Sequence, residues 1–308
     1  MFFTQTPEWQ QRGDRLVAKL LEQLSSRGLS EERLGLVIVT PESGRPVGYS
    51  WRGDWVCYPC SLVKAFHLVH ALDLLDQGVL TPHEDLDRAM RDMILWSSNT
   101  ATNYVIDLIS GTTGDTLLSE TEFADWRERR EVLNRYFLNL GWSEFAGCNI
   151  TQKLMDDTRY GREAQYAGRD RSYLNALTPL SAARLMWELF EGDLPLSDAS
   201  RARAQRELRR DLAGPEAANS GYQVSEFLGF GLPTHLPYWS KAGHNTWTGD
   251  PHASYFKHDM IRYQPDEGPA VIAVVMTQGK ELSVDHPEAF HDIGRILAEH
   301  LAEAEIAA

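Results

Sequence analysis

Val56-Cys57-Tyr58-Pro59-Cys60-Ser61-Leu62-Val63-Lys64 joins an extended run to an apolar one. Beyond Pro59, the apolar residues Leu62, Val63, Phe66, Leu68, Val69, Ala71, Leu72, Leu74 and Leu75 follow at spacings that fit a mostly buried helix better than a strand. Ser61 then falls at or near the helix N-terminus, where serine is a favoured cap and proline a favoured neighbour. Lys64 comes three residues later, on the same helical face. A serine hydroxyl is a weak nucleophile until a base takes its proton. Lysine serves as that base only when burial or nearby positive charge lowers its pKa. Ser-x-x-Lys is frequent by chance, and a capping serine beside a solvated lysine is its ordinary meaning. Here the lysine enters an almost uninterrupted apolar helix, and a buried lysine calls for a reason.

Outward from this stretch, residues 9–24 carry apolar positions at helical spacing (Leu16, Val17, Leu20, Leu21, Leu24), and Gly28 ends that helix. Residues 34–40 read as a short buried strand, 41–46 as a turn and 47–51 as the returning strand of a hairpin. Downstream, the Ser61 helix stops near Gly78. A second helix spans 86–97, and a third, 104–109, is closed by Gly111. Residues 112–175 hold a charged helix at 122–140 and a polar, arginine-rich loop at 156–173. Thr178-Pro179 opens an amphipathic helix to Phe190. Residues 197–212 are charged and helical, their arginines reading as a solvated face. Past a boundary at Gly229 to Pro233 the texture turns to strand: a run into Lys241-Ala242-Gly243, then 254–263 and 270–276, with a closing helix at 287–304. Strands at both chain ends with helices between predict an α/β (α+β) fold, an antiparallel sheet flanked by the terminal helices with a large inserted all-helical lobe. The sheet lobe takes residues 1–60 plus 229–308 and the helical lobe 61–228. Together they form one structural domain with a cleft between the lobes.

Composition narrows the function. The chain has 308 residues, and a hydrophobic content of 43% suffices for a real core. A net charge of −14 argues against nonspecific nucleic-acid binding and against attraction to an anionic membrane. Cys57, Cys60 and Cys148 offer one Cys-x-x-Cys spacing without a second pair, and buried reduced thiols are the expected state. The first eight residues have no basic segment and no long apolar core, and no later run approaches a membrane span. The expectation is a soluble cytoplasmic protein, a description that a chain trimmed of a leader would share. No histidine–carboxylate cluster has metal spacing and no glycine-rich loop cradles phosphate, so neither metal nor cofactor is expected. His67 and His70 read as packed core residues. Trp239, Trp247 and Tyr255 read as core or cleft wall.

Three polar elements fall in a definite order: Ser61-x-x-Lys64, Ser97-x-Asn99 in a turn between helices, and Lys241-x-Gly243 on a late strand. This set suits acyl transfer by a serine. Ser61 attacks, Lys64 takes its proton, Ser97 relays a proton to the leaving nitrogen and Asn99 binds the substrate amide. Lys241 depresses neighbouring pKa values and holds an anionic group. Gly243 lets the strand backbone lie close to the substrate. Backbone N–H groups of Ser61 and of His244 or Asn245 would form the oxyanion hole. The His244 side chain either faces the cleft or serves as a structural histidine.

The set resembles the penicillin-recognising serine enzymes, and most closely the class A β-lactamase-like family. Ser97-Ser98-Asn99-Thr100-Ala101-Thr102-Asn103 is similar to that family's Ser-Asp-Asn-Thr-Ala-x-Asn. The hairpin before Ser61, the closing strand–helix unit and Thr178-Pro179 opening a helix also resemble it. The similarity covers most of residues 30–300, with 112–175 poorly matched. The chain departs from the pattern in four places. Ser98 replaces a structural aspartate. Ala242 replaces the hydroxyl residue that helps hold a carboxylate, which argues against a standard penicillin. The stretch between Lys64 and Ser97 is short, so one cleft wall is reduced. Leu174-Asn175 matches the end of the omega-loop pattern Glu-x-x-Leu-Asn, but Arg171 stands at the glutamate position. Glu163 and Asp170 are the nearest carboxylates. Neither is in register and each ordinarily reads as surface charge, with Glu163 the candidate general base. Without such a base an acyl-enzyme lasts, or Lys64 serves both half-reactions.

The expectation is therefore a serine hydrolase acting through acyl-Ser61 on a small amide, ester or β-lactam. Its competitor is a non-catalytic or penicillin-binding-type protein that holds its ligand without efficient turnover. Retention of Ser61, Lys64, Ser97, Asn99 and Lys241 together speaks against the competitor.

Overall fold

Every residue from Leu34 to Thr40 is buried, which happens to a strand only when both faces of its sheet are covered. The computed structural model, which describes residues 1–155 and 159–303, shows what covers them. Helix α1 (Pro7–Leu24) is capped by Thr6, whose side chain accepts from Trp9 N, and starts on Pro7. The hairpin β1 (Leu34–Glu42) and β2 (Arg45–Trp51) follows. Then come α2 (Val63–Asp76), α3 (Glu84–Leu95), α4 (Asn99–Ser110), α5 (Glu120–Arg130), α6 (Val132–Asn139), α7 (Gly161–Ala167), α8 (Pro179–Phe190) and α9 (Asp198–Leu208). The chain closes with β3 (Arg209–Arg210), β4 (Tyr238–His244), β5 (Phe256–Tyr263), β6 (Val271–Gln278) and α10 (Ala289–Glu303).

The strands form one antiparallel sheet in the order β2-β1-β6-β5-β4-β3. β1 pairs with β6 in the register Ile38↔Ala273, so the two ends of the chain meet in the middle of the sheet. Strand alternation divides the core in two. Leu36 and Ile38 join α1 and α10 residues such as Leu16, Leu20, Ile293 and Leu297. Val37 and Val39 join α2, α3, α4 and α8 residues, among them Phe66, Met90, Ile106 and Met186. α1 lies flat on β2: a Cβ on Gly13 would sit 2.1 Å from the Tyr49 ring, and Tyr49 donates to Asp14 Oδ1 at 2.8 Å. No helix among the described residues is long and apolar enough to cross a membrane.

The structure revises three expectations drawn from the sequence. The charged helix at 122–140 is two helices, turned at Glu131. Its carboxylate takes the hydroxyls of Tyr166 and Tyr173, and Arg130 is drawn into the interior. The 156–173 stretch is not all loop, since α7 lies within it; residues 156–158 fall outside the described residues. The helix at 197–212 stops at Leu208, and Arg209–Arg210 pair with Trp239 and Tyr238 as an edge strand. The sheet thus includes a strand from the stretch assigned by sequence to the helical lobe. Arg210 is no solvated face: it is buried, donates to the Ile94 carbonyl at 3.0 Å and stacks on Tyr222.

Candidate active site

Two anchors fix the segment that precedes Ser61. Cys57 exchanges backbone bonds with Leu177, N to O at 2.9 Å and O to N at 3.0 Å. Leu177 is itself set by the Thr178–Ser181 capping box that opens α8. His258 on β5 donates from Nε2 to the Tyr58 carbonyl at 2.9 Å and accepts from Thr277 N at 3.2 Å on Nδ1. That pair of bonds assigns the neutral tautomer with its proton on Nε2, and burial holds the His258 pKa down at about 4. Cys60 then takes a left-handed φ of 49° and starts a single tight turn, Cys60–Leu62, that leads into α2. Neither this turn nor α2 has a side-chain cap. The expected capping role of Ser61 is therefore overturned, because the turn wound at Cys60 carries Ser61 into the helix start. Its hydroxyl is half-buried and spared from capping.

Lys64, one turn on, is fully buried. Its Nζ donates to the Ser97 carbonyl, to Ser97 Oγ at 3.1 Å and to Asn99 Oδ1 at 2.8 Å. The acceptors come from the turn between α3 and α4. Ser97 there adopts a left-handed φ of 53°, and Ser98 caps α4 by accepting from Ala101 N at 3.2 Å. The Ser98 replacement thus keeps a local hydrogen-bonding role. Asn103, the last residue of that motif, exchanges bonds with the Leu154 backbone and ties the turn's helix to the loop opposite.

From the sheet side, Lys241 is also fully buried, and its Nζ reaches Ser97 Oγ at 3.0 Å. It donates as well to Gln223 Oε1 at 2.5 Å and to the Ala242 carbonyl at 2.6 Å. Burial, then the positive charges of Lys64 and Arg210, push the Lys241 pKa well below the ordinary lysine value. Ser97 Oγ therefore sits between two amines. Two residues along the strand, Gly243 lies against the nucleophile: a Cβ there would come within 2.5 Å of Ser61 N and 3.0 Å of Cys60 Cβ. Only glycine admits that approach.

The second oxyanion donor can be chosen from the ladder. Asn245 N donates to the Phe256 carbonyl at 2.9 Å, across β4 and β5. Antiparallel neighbours alternate in direction, so the His244 N–H points to the opposite edge of β4. Asn245 is committed to the sheet and His244 is the residue left. The His244 side chain keeps an exposed edge, while its ring packs 5.8 Å from Phe227. Desolvation, aided by Lys257, lowers its pKa and disfavours the charged ring.

Glu163 is not brought to this cluster. It is fully buried on α7 with its carboxylate on the Arg130 guanidinium, Oε1 at 2.8 Å and Oε2 at 3.3 Å. Arg130 also donates to Thr112 Oγ1 and the Thr151 carbonyl and lies over Trp126. The surface-charge reading of Glu163 is wrong as well: a fully buried carboxylate needs a partner of opposite charge. Asp170 turns back on its own loop, accepting from Ser172 N at 3.2 Å. Asn175 exchanges bonds with the Gln152 backbone. Cys57 and Cys60 are free thiols whose burial raises their pKa, so neither competes with Ser61 as a thiolate. His67 and His70 are core residues, the latter stacked on Tyr136.

Gln223 is the site residue that sequence reasoning missed. It lies just past the single turn Ser220–Tyr222, with a left-handed φ of 56°. That turn packs beside Trp96, with Tyr222 and Trp96 rings 6.2 Å apart, which sets Gln223 across from Ser97. A glutamine in a Ser-Gly-Tyr stretch carries no signal of this role.

A family model described as "Beta-lactamase enzyme family" matches residues 85–301, well over half of the chain. The chain belongs to that family. The matched span includes Ser97, Asn99, Lys241 and Gly243; Ser61 and Lys64 lie before it and are joined to the site by the contacts above. Solved structures agree on the fold. A beta lactamase from Burkholderia vietnamiensis is 19% identical with a TM-score of 0.62, covering 94% of this chain and 97% of its own. A beta lactamase from Xanthomonas campestris pv. campestris is 17% identical with a TM-score of 0.63, covering 94% and 98%. A structure of PBP-A is 19% identical with a TM-score of 0.62, covering 93% and 97%. No curated protein matches the sequence. The β-lactamase-like fold and hydrolase class follow from the family.

Proposed function

We propose that this protein is a serine hydrolase that works through an acyl-Ser61 intermediate on a small amide, ester or β-lactam. The observation that carries the reading is Ser97 Oγ held between Lys64 Nζ and Lys241 Nζ, at 3.1 and 3.0 Å. A hydroxyl between two amines is satisfied when one amine donates to it and the other, neutral, accepts its proton. Two ammonium groups this close repel in a buried site, which favours one of them giving up its proton.

In acylation, Ser61 Oγ bonds to the substrate carbonyl carbon while its proton passes to Lys64. The oxyanion rests on the N–H groups of Ser61 and His244. Collapse breaks the bond to the leaving nitrogen or oxygen. Ser97 hands its proton to that atom and is reprotonated from Lys64. Deacylation reverses the sequence with water as nucleophile, and ends with the proton back on Ser61. Glu163 takes no part, since Arg130 holds it. Lys64 with Ser97 is the relay for both halves.

The test is intact-protein mass after incubation with a fluorophosphonate, a penicillin and a chromogenic cephalosporin, with Ser61→Ala as control. A single adduct on the fluorophosphonate-treated protein, absent in Ser61→Ala, is expected. Failure of every reagent to form an adduct or be turned over would leave a ligand-binding protein instead.

A further inference from the structure

We propose that Gln223 is a specificity-determining residue: by occupying Lys241 it closes the leaving-group side of the cleft to anions, so the substrates that acylate Ser61 are neutral there. This rests on the acyl-Ser61 reading and deepens it.

A lysine Nζ has at most three N–H bonds, three as the ammonium and two as the amine. Lys241 Nζ has three acceptors around it: Ser97 Oγ at 3.0 Å, Gln223 Oε1 at 2.5 Å and the Ala242 carbonyl at 2.6 Å. The side chain is 0% exposed. A substrate group can reach this ammonium only by displacing one of the three. Ser97 is the relay, and the Ala242 carbonyl is fixed backbone, so the displaceable partner is Gln223.

The place matters because Lys241 touches Ser97, the group that protonates the leaving atom. Whatever the substrate carries next to that atom is brought beside Lys241. At this position a carboxylate would need hydrogen-bond donors to replace its water. Ala242 contributes a methyl group where a hydroxyl would donate. Lys64 is fully buried with its Nζ on Ser97 and Asn99. His244, the next ionisable side chain along β4, has its pKa lowered by desolvation and by Lys257, which disfavours its charged form. The Lys241 charge still attracts an anion at a distance. The Ser97 hydroxyl and the Gln223 amide N–H groups are neutral donors, weaker than an ammonium, and repay a carboxylate less than it loses on leaving water, a loss that exceeds a screened attraction. An ester, amide or lactam with no acid group beside the leaving atom suffers no such loss.

The experiment uses matched pairs that differ in charge beside the leaving atom: benzylpenicillin and its methyl ester, and 3-carboxy-4-nitrophenyl butyrate and p-nitrophenyl butyrate. Second-order rate constants for Ser61 acylation are measured by intact mass and by release of the nitrophenol. In the native protein the neutral member of each pair is expected to react at least ~10-fold faster, which corresponds to about 1.4 kcal/mol. Gln223→Asn suits the left-handed backbone but shortens the reach to Lys241, and is expected to narrow the ratio several-fold. Gln223→Glu puts a carboxylate on Lys241 and is expected to widen it. Equal or faster reaction of the anionic members, or a ratio that neither variant moves while both melt like the native protein, overturns the proposal. Fluorophosphonate labelling of Ser61 is run in parallel. A Ser61 adduct together with anion preference sinks this inference alone, whereas no adduct from any reagent sinks the acyl-serine reading and this one with it.

Discussion

At the scale of single residues, Glu163 and Gly243 make opposite predictions. Glu163 and Arg130 are both fully buried and bonded to each other. Glu163→Gln leaves the buried guanidinium with Asp107, 3.9 Å away, as its remaining counter-charge, a loss of up to about 3–5 kcal/mol. The melting temperature is expected to fall sharply while the acylation rate per folded molecule stays near native; a loss of turnover at unchanged stability would restore Glu163 as a general base. Gly243→Ala places a Cβ against Ser61 N, the proposed oxyanion donor. A drop of about 10²-fold or more in the acylation rate is expected, read by fluorophosphonate labelling, and a native rate would show that the strand need not approach so closely. The difference between these residues marks what the sequence could reveal. Ser61, Lys64, Ser97, Asn99, Lys241 and Gly243 were legible because the chemistry needs those residue types in short, fixed spacings. Glu163 misled because proximity in sequence to Leu174-Asn175 says nothing about a partner 33 residues away on α5. Gln223 was silent because its role depends only on where an irregular turn comes to rest.

At the scale of elements, the strands of the hairpin and of the chain's last third were read from apolar runs, since a strand buried on both faces leaves no other pattern. The capped helices were equally plain: Thr178-Pro179 does begin α8. The 112–175 stretch failed because tertiary contacts, not periodicity, decide it; α5 and α6 part where Glu131 and Arg130 turn to different partners. Buried histidines on α2 and β5 give these elements a pH dependence. Burial, foremost, lowers the pKa of His67 to about 3, of His70 to about 4 and of His258 to about 4. The native state thus binds fewer protons than the unfolded chain below pH 6.5. Stability from these neutral rings is intact above pH 6.5 and is lost as pH falls towards 4, at about 1.4 kcal/mol per unit for each group. Asp259 on β5 acts in the other direction. Burial raises it to about 7, so its contribution falls as pH rises between about 4 and 7. Burial raises Asp73 on α2 as well; three rings stand against these two carboxylates, and the urea midpoint is expected to drop between pH 7 and pH 5. An unchanged or higher midpoint at pH 5 would mean the rings are solvated in the native state.

At the scale of the whole molecule, the two cores share one sheet: Leu36 and Ile38 serve one, Val37 and Val39 the other. Neither layer keeps its apolar face covered if the sheet opens. Tryptophan fluorescence and far-UV circular dichroism are expected to report coincident urea transitions; separated midpoints would show the helical layer melting by itself. The same sheet has a consequence for synthesis on the ribosome. β1 leaves the exit tunnel early, with β2 on one edge and nothing on the other, and its second partner is β6. At 5–20 residues per second that wait is on the order of tens of seconds. Throughout it, the nascent chain displays an apolar strand edge, and Ser61 has been made without the β4 backbone that lies against it. Holding such an edge apart from those of neighbouring nascent chains is a task for chaperones, and the Ser61 site is assembled only after the last strand has been released.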